Sequence, residues 1–268
     1  MTGARLTPGA HDAYDQVEDQ FNQVLDETLH PAGPGALFDY VAGMGLPDGA
    51  VSVDVGCGGG EHAVELARRF GLRVTGVDPV ARQVAAAREL ARPGDLVRFA
   101  VGSAERLPVA SGSVDLIWCR DVLCLCADLS LAYREFRRVL RPGGRALVYQ
   151  MFATSGLRPA EAAFLLPVLG CDPAAMDPDQ AEAAISGAGL VIDRRVILGT
   201  EWGEYASERA ANPGRHLQHA ARLIRDPGRY IAQFGRENYD IKLADCLWHI
   251  YRMIGKLSSR VYLLSAPG

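Results

Sequence analysis

Between Val51 and Glu61 the chain reads V-S-V-D-V-G-C-G-G-G-E. The β-branched Val51, Val53 and Val55 suit a buried strand, four glycines fall within the next five positions, and a helix-compatible run opens at Glu61. The stretch predicts a strand, a tight turn and a helix start. Glycine serves such a turn in two ways: it permits the reversal, and it lets backbone approach a ligand where a Cβ would stand in the way. A glycine run by itself also suits plain packing.

Two acids narrow the reading. Asp54 stands two residues before the first glycine, and a second strand-like stretch, V-T-G-V-D-P-V from Val74 to Val80, carries Asp78 near its end. An acid about 20 residues beyond the glycines is where a ribose-binding carboxylate belongs in a βαβ nucleotide site. A nicotinamide or flavin fingerprint asks for glycine or alanine at position 61, where this chain has Glu61. It also fits Asp54 poorly, because a pyrophosphate would sit at that helix N-terminus. A carboxylate beside the turn suits a ligand with an amino group and no phosphates.

D-V-G-C-G-G-G at Asp54 to Gly60, with G-V-D-P at Gly76 to Pro79, resembles motifs one and two of the class I S-adenosylmethionine-dependent methyltransferases. The resemblance implies S-adenosyl-L-methionine as cofactor and S-adenosyl-L-homocysteine as product. It implies that Asp54 and the backbone at Gly56, Cys57 and Gly58 hold the methionine portion, that Asp78 takes the ribose hydroxyls, and that Pro79 lies beside the adenine. Gln83, one turn into the next helix, adds a polar contact. Where the family has D-A-E-x-L-P after strand three, this chain has S-A-E-R-L-P, so Ser103 and Ala104 are the implied adenine contacts and Glu105 is read as a structural acid. After strand four, Cys119 and Arg120 pass under the methionine carboxylate and sulfonium. Tyr14, on an amphipathic helix from Asp12 to His30, either covers the methionine end or packs on the core.

From Val51 onward strand and helix patterns alternate, as in a parallel α/β sheet. Strands are expected at Val51–Val55, Arg73–Val77, Val97–Val101, Val114–Cys119, Arg145–Met151, Leu190–Leu198 and Arg260–Leu264. The R-P-G-G at Arg141 to Gly144 is expected to close the helix before strand five. The resemblance implies a Rossmann-like, doubly wound, seven-stranded sheet of order 3-2-1-4-5-7-6 with the last strand antiparallel. Residues 1–45 are expected as an N-terminal helical cap and 46–268 as the core, with lid segments at about 152–176 and 201–256 rising from the edge where open α/β sheets bind ligands. A dimer interface or extra core is the plainer use of those segments.

A net charge of −4 and a pI near 5.9 give no basic field for a polyanion, which argues against nucleic acid as substrate. No apolar run approaches membrane-spanning length, so no membrane partner is expected. Met1 to Gln20 has no apolar segment of the secretory kind, and the six cysteines include no C-x-x-C pair, which together predict thiols in a reducing cytoplasm.

The acceptor side is less legible. The loop after strand four reads R-D-V-L-C-L-C from Arg120 to Cys126, without the histidine that several family members place there; Asp121 either orients an acceptor or caps a helix. His216 and His219 share a helix face, one of them a candidate general base and packing the plainer alternative; with no third ligand in view, no metal site is expected. His62 has no visible constellation around it. Phe152, Trp202, Tyr205 and Tyr239 are candidate substrate contacts, although core packing explains many of the lid aromatics. These features predict methyl transfer to oxygen, nitrogen or carbon of a small organic, secondary-type metabolite, with a homodimer compatible. The alternative is a cofactor-binding protein of the same scaffold that does not methylate.

Overall fold

Strand β1 (Val51–Val55) buries four of its five residues, including Ser52 and Asp54, because it lies inside a sheet covered on both faces. The computed structural model describes residues 33–210 and 213–268. Its sheet has seven strands in the order β3 (Val97–Val101), β2 (Arg73–Asp78), β1, β4 (Val114–Arg120), β5 (Leu140–Ala153), β7 (Leu257–Ser265), β6 (Val191–Gly199). β7 runs antiparallel to β5 and β6, and the remaining pairings are parallel. This is the order that the resemblance implied. In β1, Asp54 stands level with Gly76 of β2 and Trp118 of β4, so the carboxyl ends of three strands share one edge.

Helices α1 (Ala36–Ala42), α2 (Glu61–Phe70) and α3 (Ala81–Leu90) cover one face, where Leu37, Val41, Ala63, Leu66, Val84 and Ala87 pack with Trp118, Leu147 and Tyr149. Helix α4 (Leu129–Val139) and α6 (Pro178–Gly187), the latter after α5 (Pro159–Val168), cover the other face. There Tyr133, Phe136, Ala181 and Ile185 pack on Ile117, Cys119, Val148 and Phe152. The alternation of Ile117, Trp118 and Cys119 between faces follows the two-residue period of a strand. The stretch from Gly33 to Gly45, expected within the N-terminal cap, is built into this core through Leu37 and Val41. The expected helix at 12–30 and Tyr14 lie outside the described residues.

Strand β5 is longer than its apolar pattern suggested. It absorbs R-P-G-G: Val114 of β4 pairs with Leu140, and the next pairing, Leu116 with Arg145, skips the bulged residues. Gly143 takes φ of +77°, and Gly143 N–H and Gly144 C=O bond to the Ala266 backbone at 2.8 and 2.9 Å, fixing the bulge to the end of β7.

Beyond β5 lies α5, which tolerates Pro167 in its last turn. Between β6 and β7 come α7 (Glu201–Ala210), α8 (Pro213–Arg225), α9 (Pro227–Phe234) and α10 (Arg236–Met253). Helix α10 is buried on two faces: Tyr239 and Cys246, seven residues apart, join Ala220 and Leu223 of α8, whereas Ala244 joins Leu165 and Leu166 of α5. Because β5 and β6 point the same way as β1, these helices start from and return to the edge that carries the glycine turn. Among the described residues no helix is long and apolar enough to cross a membrane.

Candidate functional site

The turn after β1 holds Gly56, Gly58 and Gly60 at φ of +70°, +51° and +89°, a region that L side chains avoid. The Gly56 and Cys57 N–H groups donate to the Val77 carbonyl at 2.7 and 3.0 Å, which pins the turn to β2. A Cβ at Gly56 would run into Val122, and one at Gly60 would lie 2.8 Å from Ala87 Cβ and from the Phe99 ring. At Gly58 a Cβ would meet nothing within 4 Å. Packing thus accounts for two of these glycines. The third leaves bare backbone beside an open cradle.

Two carboxylates flank the cradle. Asp54 is only 2% exposed, and burial pushes its pKa up to about 7; the Ala63 N–H in the first turn of α2 opposes the shift, and the Asp78 charge adds to it. Its Oδ2 is buried and has no hydrogen-bond partner among the described residues. Asp78 is held from two sides, its Oδ1 accepting from Val80 N–H at 2.8 Å and its Oδ2 from Gly58 N–H at 3.0 Å. Its position is therefore fixed by the turn itself. Pro79 is exposed at the rim, Gln83 half-buried on α3, Ala104 buried, and Ser103 makes paired backbone bonds with Arg106 at 3.4 and 3.1 Å. The Cys57 thiol, pushed up to about 12 by burial and then by the charges of Asp54 and Asp78, is inert at neutral pH.

Past β4 a second group of side chains assembles. Arg120 Nη1 donates to His62 Nε2 at 2.6 Å, so that nitrogen is the acceptor and the imidazole is neutral. Burial, and then the Arg120 charge, bring His62 down to about 4. Its ring packs against Trp118 at 5.6 Å and Phe38 at 5.9 Å. The Arg120 guanidinium also lies 5.3 Å above the Trp202 ring and 3.7 Å from Asp121. Trp202, in the first turn of α7, stacks on Tyr149 at 4.1 Å and 9°. The Trp202 indole N–H is buried without a partner among the described residues, and the buried Tyr149 hydroxyl has Ser259 as its polar neighbour.

Asp121 occupies the left-handed region at φ of +57°, its N–H donating to the Tyr149 carbonyl at 3.0 Å. It caps no helix: the turn at Leu123–Leu125 has no side-chain cap, and Asp128 caps α4 by accepting from Leu131 N–H at 2.8 Å. Its side chain is 47% reachable by water yet deep among protein atoms, and desolvation raises its pKa against the pull of Arg120 and of Arg252 from α10. An acid held in the left-handed region beside an arginine at a sheet's carboxyl edge has the character of a functional group.

Residues 53–148 match the family described as Methyltransferase domain. The chain is 37% identical over 103 residues to the 2-methyl-6-phytyl-1,4-hydroquinone methyltransferase of Synechocystis sp., a match covering 38% of this chain and 32% of that protein. It is 33% identical over 147 residues to the 27-O-demethylrifamycin SV methyltransferase of Amycolatopsis mediterranei, covering 49% of this chain and 54% of that one. The chain thus spans between a third and just over half of these two relatives. Among solved structures, the cyclase SpnF shares the fold with a TM-score of 0.65 at 23% identity, over 96% of this chain and 95% of that one. Residues 53–148 thus carry a methyltransferase domain, and this part of the chain is similar to the class I S-adenosylmethionine-dependent methyltransferases.

Not every residue singled out from the sequence reaches the edge. Cys119 is fully buried under α4, so its side chain belongs to the core and only its backbone borders the site. Phe152 is also core: it is 1% exposed, edge-on to Tyr262 at 6.1 Å and beneath Arg260 at 5.5 Å, because strand alternation turns it to the α4 face. Tyr239 is buried between α10 and α8 and donates its hydroxyl to the Leu223 carbonyl at 3.2 Å, which gives it a packing role between those helices. Tyr205 lies where a Cβ on Gly33 would be, which places its ring against the segment before α1. His216 meets His249 instead of the sheet edge, and His219 lines a separate cavity. Sequence reasoning missed His62, Tyr149 and Arg252. Only His62 carried a signal, its place at the second position of the helix after the glycine turn.

Proposed function

We propose that this chain is an S-adenosylmethionine-dependent methyltransferase acting on a small, oxygen-bearing organic acceptor. The observation that carries the reading is Asp54, a buried carboxylate beside the glycine turn with one oxygen left unpartnered. A buried acid in that state gains most from a ligand ammonium, which brings charge and hydrogen-bond donors together. The residues fit the cofactor. Asp54 would take the methionine ammonium, Gly58 would give passage, and Arg120 would meet the carboxylate. Asp78, fixed by two N–H groups, keeps lone pairs for the ribose diol, with Pro79, Gln83, Ser103 and Ala104 around the base. When bound, the sulfonium supplies an electrophilic methyl carbon.

The work left to the chain is to aim the acceptor, exclude water and receive a proton. Asp121 is the acid placed to receive it, and the unpartnered indole N–H of Trp202 is suited to hold an acceptor oxygen. Tyr149, pushed up to about 12 by burial and then by the Asp121 charge, acts as a donor and not as a base. Two relatives named for a hydroquinone and a rifamycin support an oxygenated, secondary-type acceptor. The six free cysteines support a cytoplasmic setting. A second reading, cofactor binding without methyl transfer, draws on the whole-chain likeness to a cyclase and on the absence of histidine between Arg120 and Cys126. Incubation with methyl-labelled cofactor and oxygenated aromatic acceptors separates the two. Methylated product together with S-adenosylhomocysteine supports transfer, whereas tight cofactor binding with label retained across the acceptor panel supports the second reading. Asp78→Ala is expected to weaken S-adenosylhomocysteine binding by more than about 1 kcal/mol; an unchanged dissociation constant removes Asp78 from the site.

A further inference from the structure

The lid contains a polar cluster that neither the sheet edge nor the proposed reaction uses. Among the described residues, one group of three potential ligands, His216, Asp245 and Cys246, offers one ligand atom each within 4.8 Å of the others. His216 comes from α8 and the other two from the facing side of α10. One turn further along α10, His249 stacks on His216 with ring centroids 3.9 Å apart, and its Nε2 lies 3.8 Å from Asp245 Oδ1. Cys246 and His249 are three residues apart and Asp245 and His249 four, so all three occupy one strip of the helix. His216 Nδ1 is buried with no hydrogen-bond partner among the described residues. Cys246 is fully buried.

We propose that the lid holds a metal site of its own, in which a zinc-class divalent ion bridges α8 and α10 through His216, Asp245 and Cys246, with His249 as fourth ligand. Two imidazoles, a thiolate and a carboxylate are the borderline-soft set that zinc takes in tetrahedral sites, where neighbouring ligand atoms lie about 3.5 Å apart. Binding would draw these ligand atoms, now within 4.8 Å of one another, closer together. Lys242 pairs with Asp245 Oδ2 at 2.7 Å, which leaves Oδ1 for the ion and makes the ammonium an outer-shell partner of the carboxylate. On binding, the Cys246 S–H bond breaks, its proton goes to solvent and its electron pair to the metal. The ion would carry two positive charges against one thiolate and one carboxylate. It would also fix the spacing of the helices that wall a cavity of about 460 Å³ lined by Leu223, Tyr230, Phe234 and Tyr239.

The test uses the full chain, stripped with a chelator and titrated with Co²⁺. One Co²⁺ per chain is expected, with a thiolate-to-cobalt charge-transfer band and the visible bands of four-coordinate cobalt, both abolished by Zn²⁺. Cys246→Ser should remove the charge-transfer band, and His216→Gln should weaken Co²⁺ binding at least tenfold. Cys124→Ser, which removes a thiol paired with Cys171 in the turn after β4, should leave both unchanged. Absence of the band, or its persistence in Cys246→Ser, overturns the proposal. If Cys246→Ser fails to fold, His216→Gln, at a half-buried position, decides: unchanged affinity overturns the site.

Discussion

Gly58 and Gly60 stand two residues apart at positive φ, and a methyl group added at each should have opposite consequences. At Gly60 the new Cβ strikes Ala87 and Phe99, so Gly60→Ala should cost about 2 kcal/mol or more in stability, read by urea unfolding. At Gly58 the space is open, so Gly58→Ala should cost only about 1 kcal/mol of backbone strain but lower S-adenosylhomocysteine affinity at least tenfold, read by calorimetry. Equal losses of stability with affinity intact would mean that the turn serves packing alone. Asp54 and Asp78 were legible in the sequence because both lie within a residue or two of the strand ends that place them. His62 was not, because Phe38 of α1 and Trp118 and Arg120 of β4 reach it from two elements distant in sequence.

Among the elements, α7 carries one of the contacts that join the helices after β6 to the sheet: Trp202 lies between the Tyr149 ring and the Arg120 guanidinium. Trp202→Ala should cost about 3 kcal/mol in stability. It should also raise the acceptor's KM more than the cofactor's, read by unfolding and steady-state kinetics on the same preparation; equal changes in both KM values would detach the lid from acceptor binding. The alternating strands and helices of the sheet were legible because each buried strand is a short apolar run closed by glycine, proline or an acid. The segment between β6 and β7 was legible only as mainly helical. Helix α10 buries two faces and so shows no single apolar stripe, and pairing across α8 and α10 joins residues about 30 positions apart. The same limit misplaced Phe152 and Tyr239, aromatics whose composition suited a ligand and whose strand or helix phase turns them to a core.

For the whole molecule, Asp54 links folding, pH and ligand. Its pKa rises from the ordinary carboxylate value to about 7 in the folded chain, so ionisation opposes folding. Without ligand, stability should fall as pH rises from about 4 to about 7 and then level off, a trend that Asp54→Asn should flatten. A ligand ammonium reverses this balance, because it favours the carboxylate and draws the pKa down on binding. Calorimetric titration of the full chain with S-adenosylhomocysteine from pH 6 to 8, in buffers of different ionisation enthalpy, reads both effects at once. Affinity should rise about tenfold across that interval with release of a proton at the acid end, and both should be lost in Asp54→Asn. An affinity independent of pH, with no proton released and Asp54→Asn binding as tightly as the parent, would contradict this expectation.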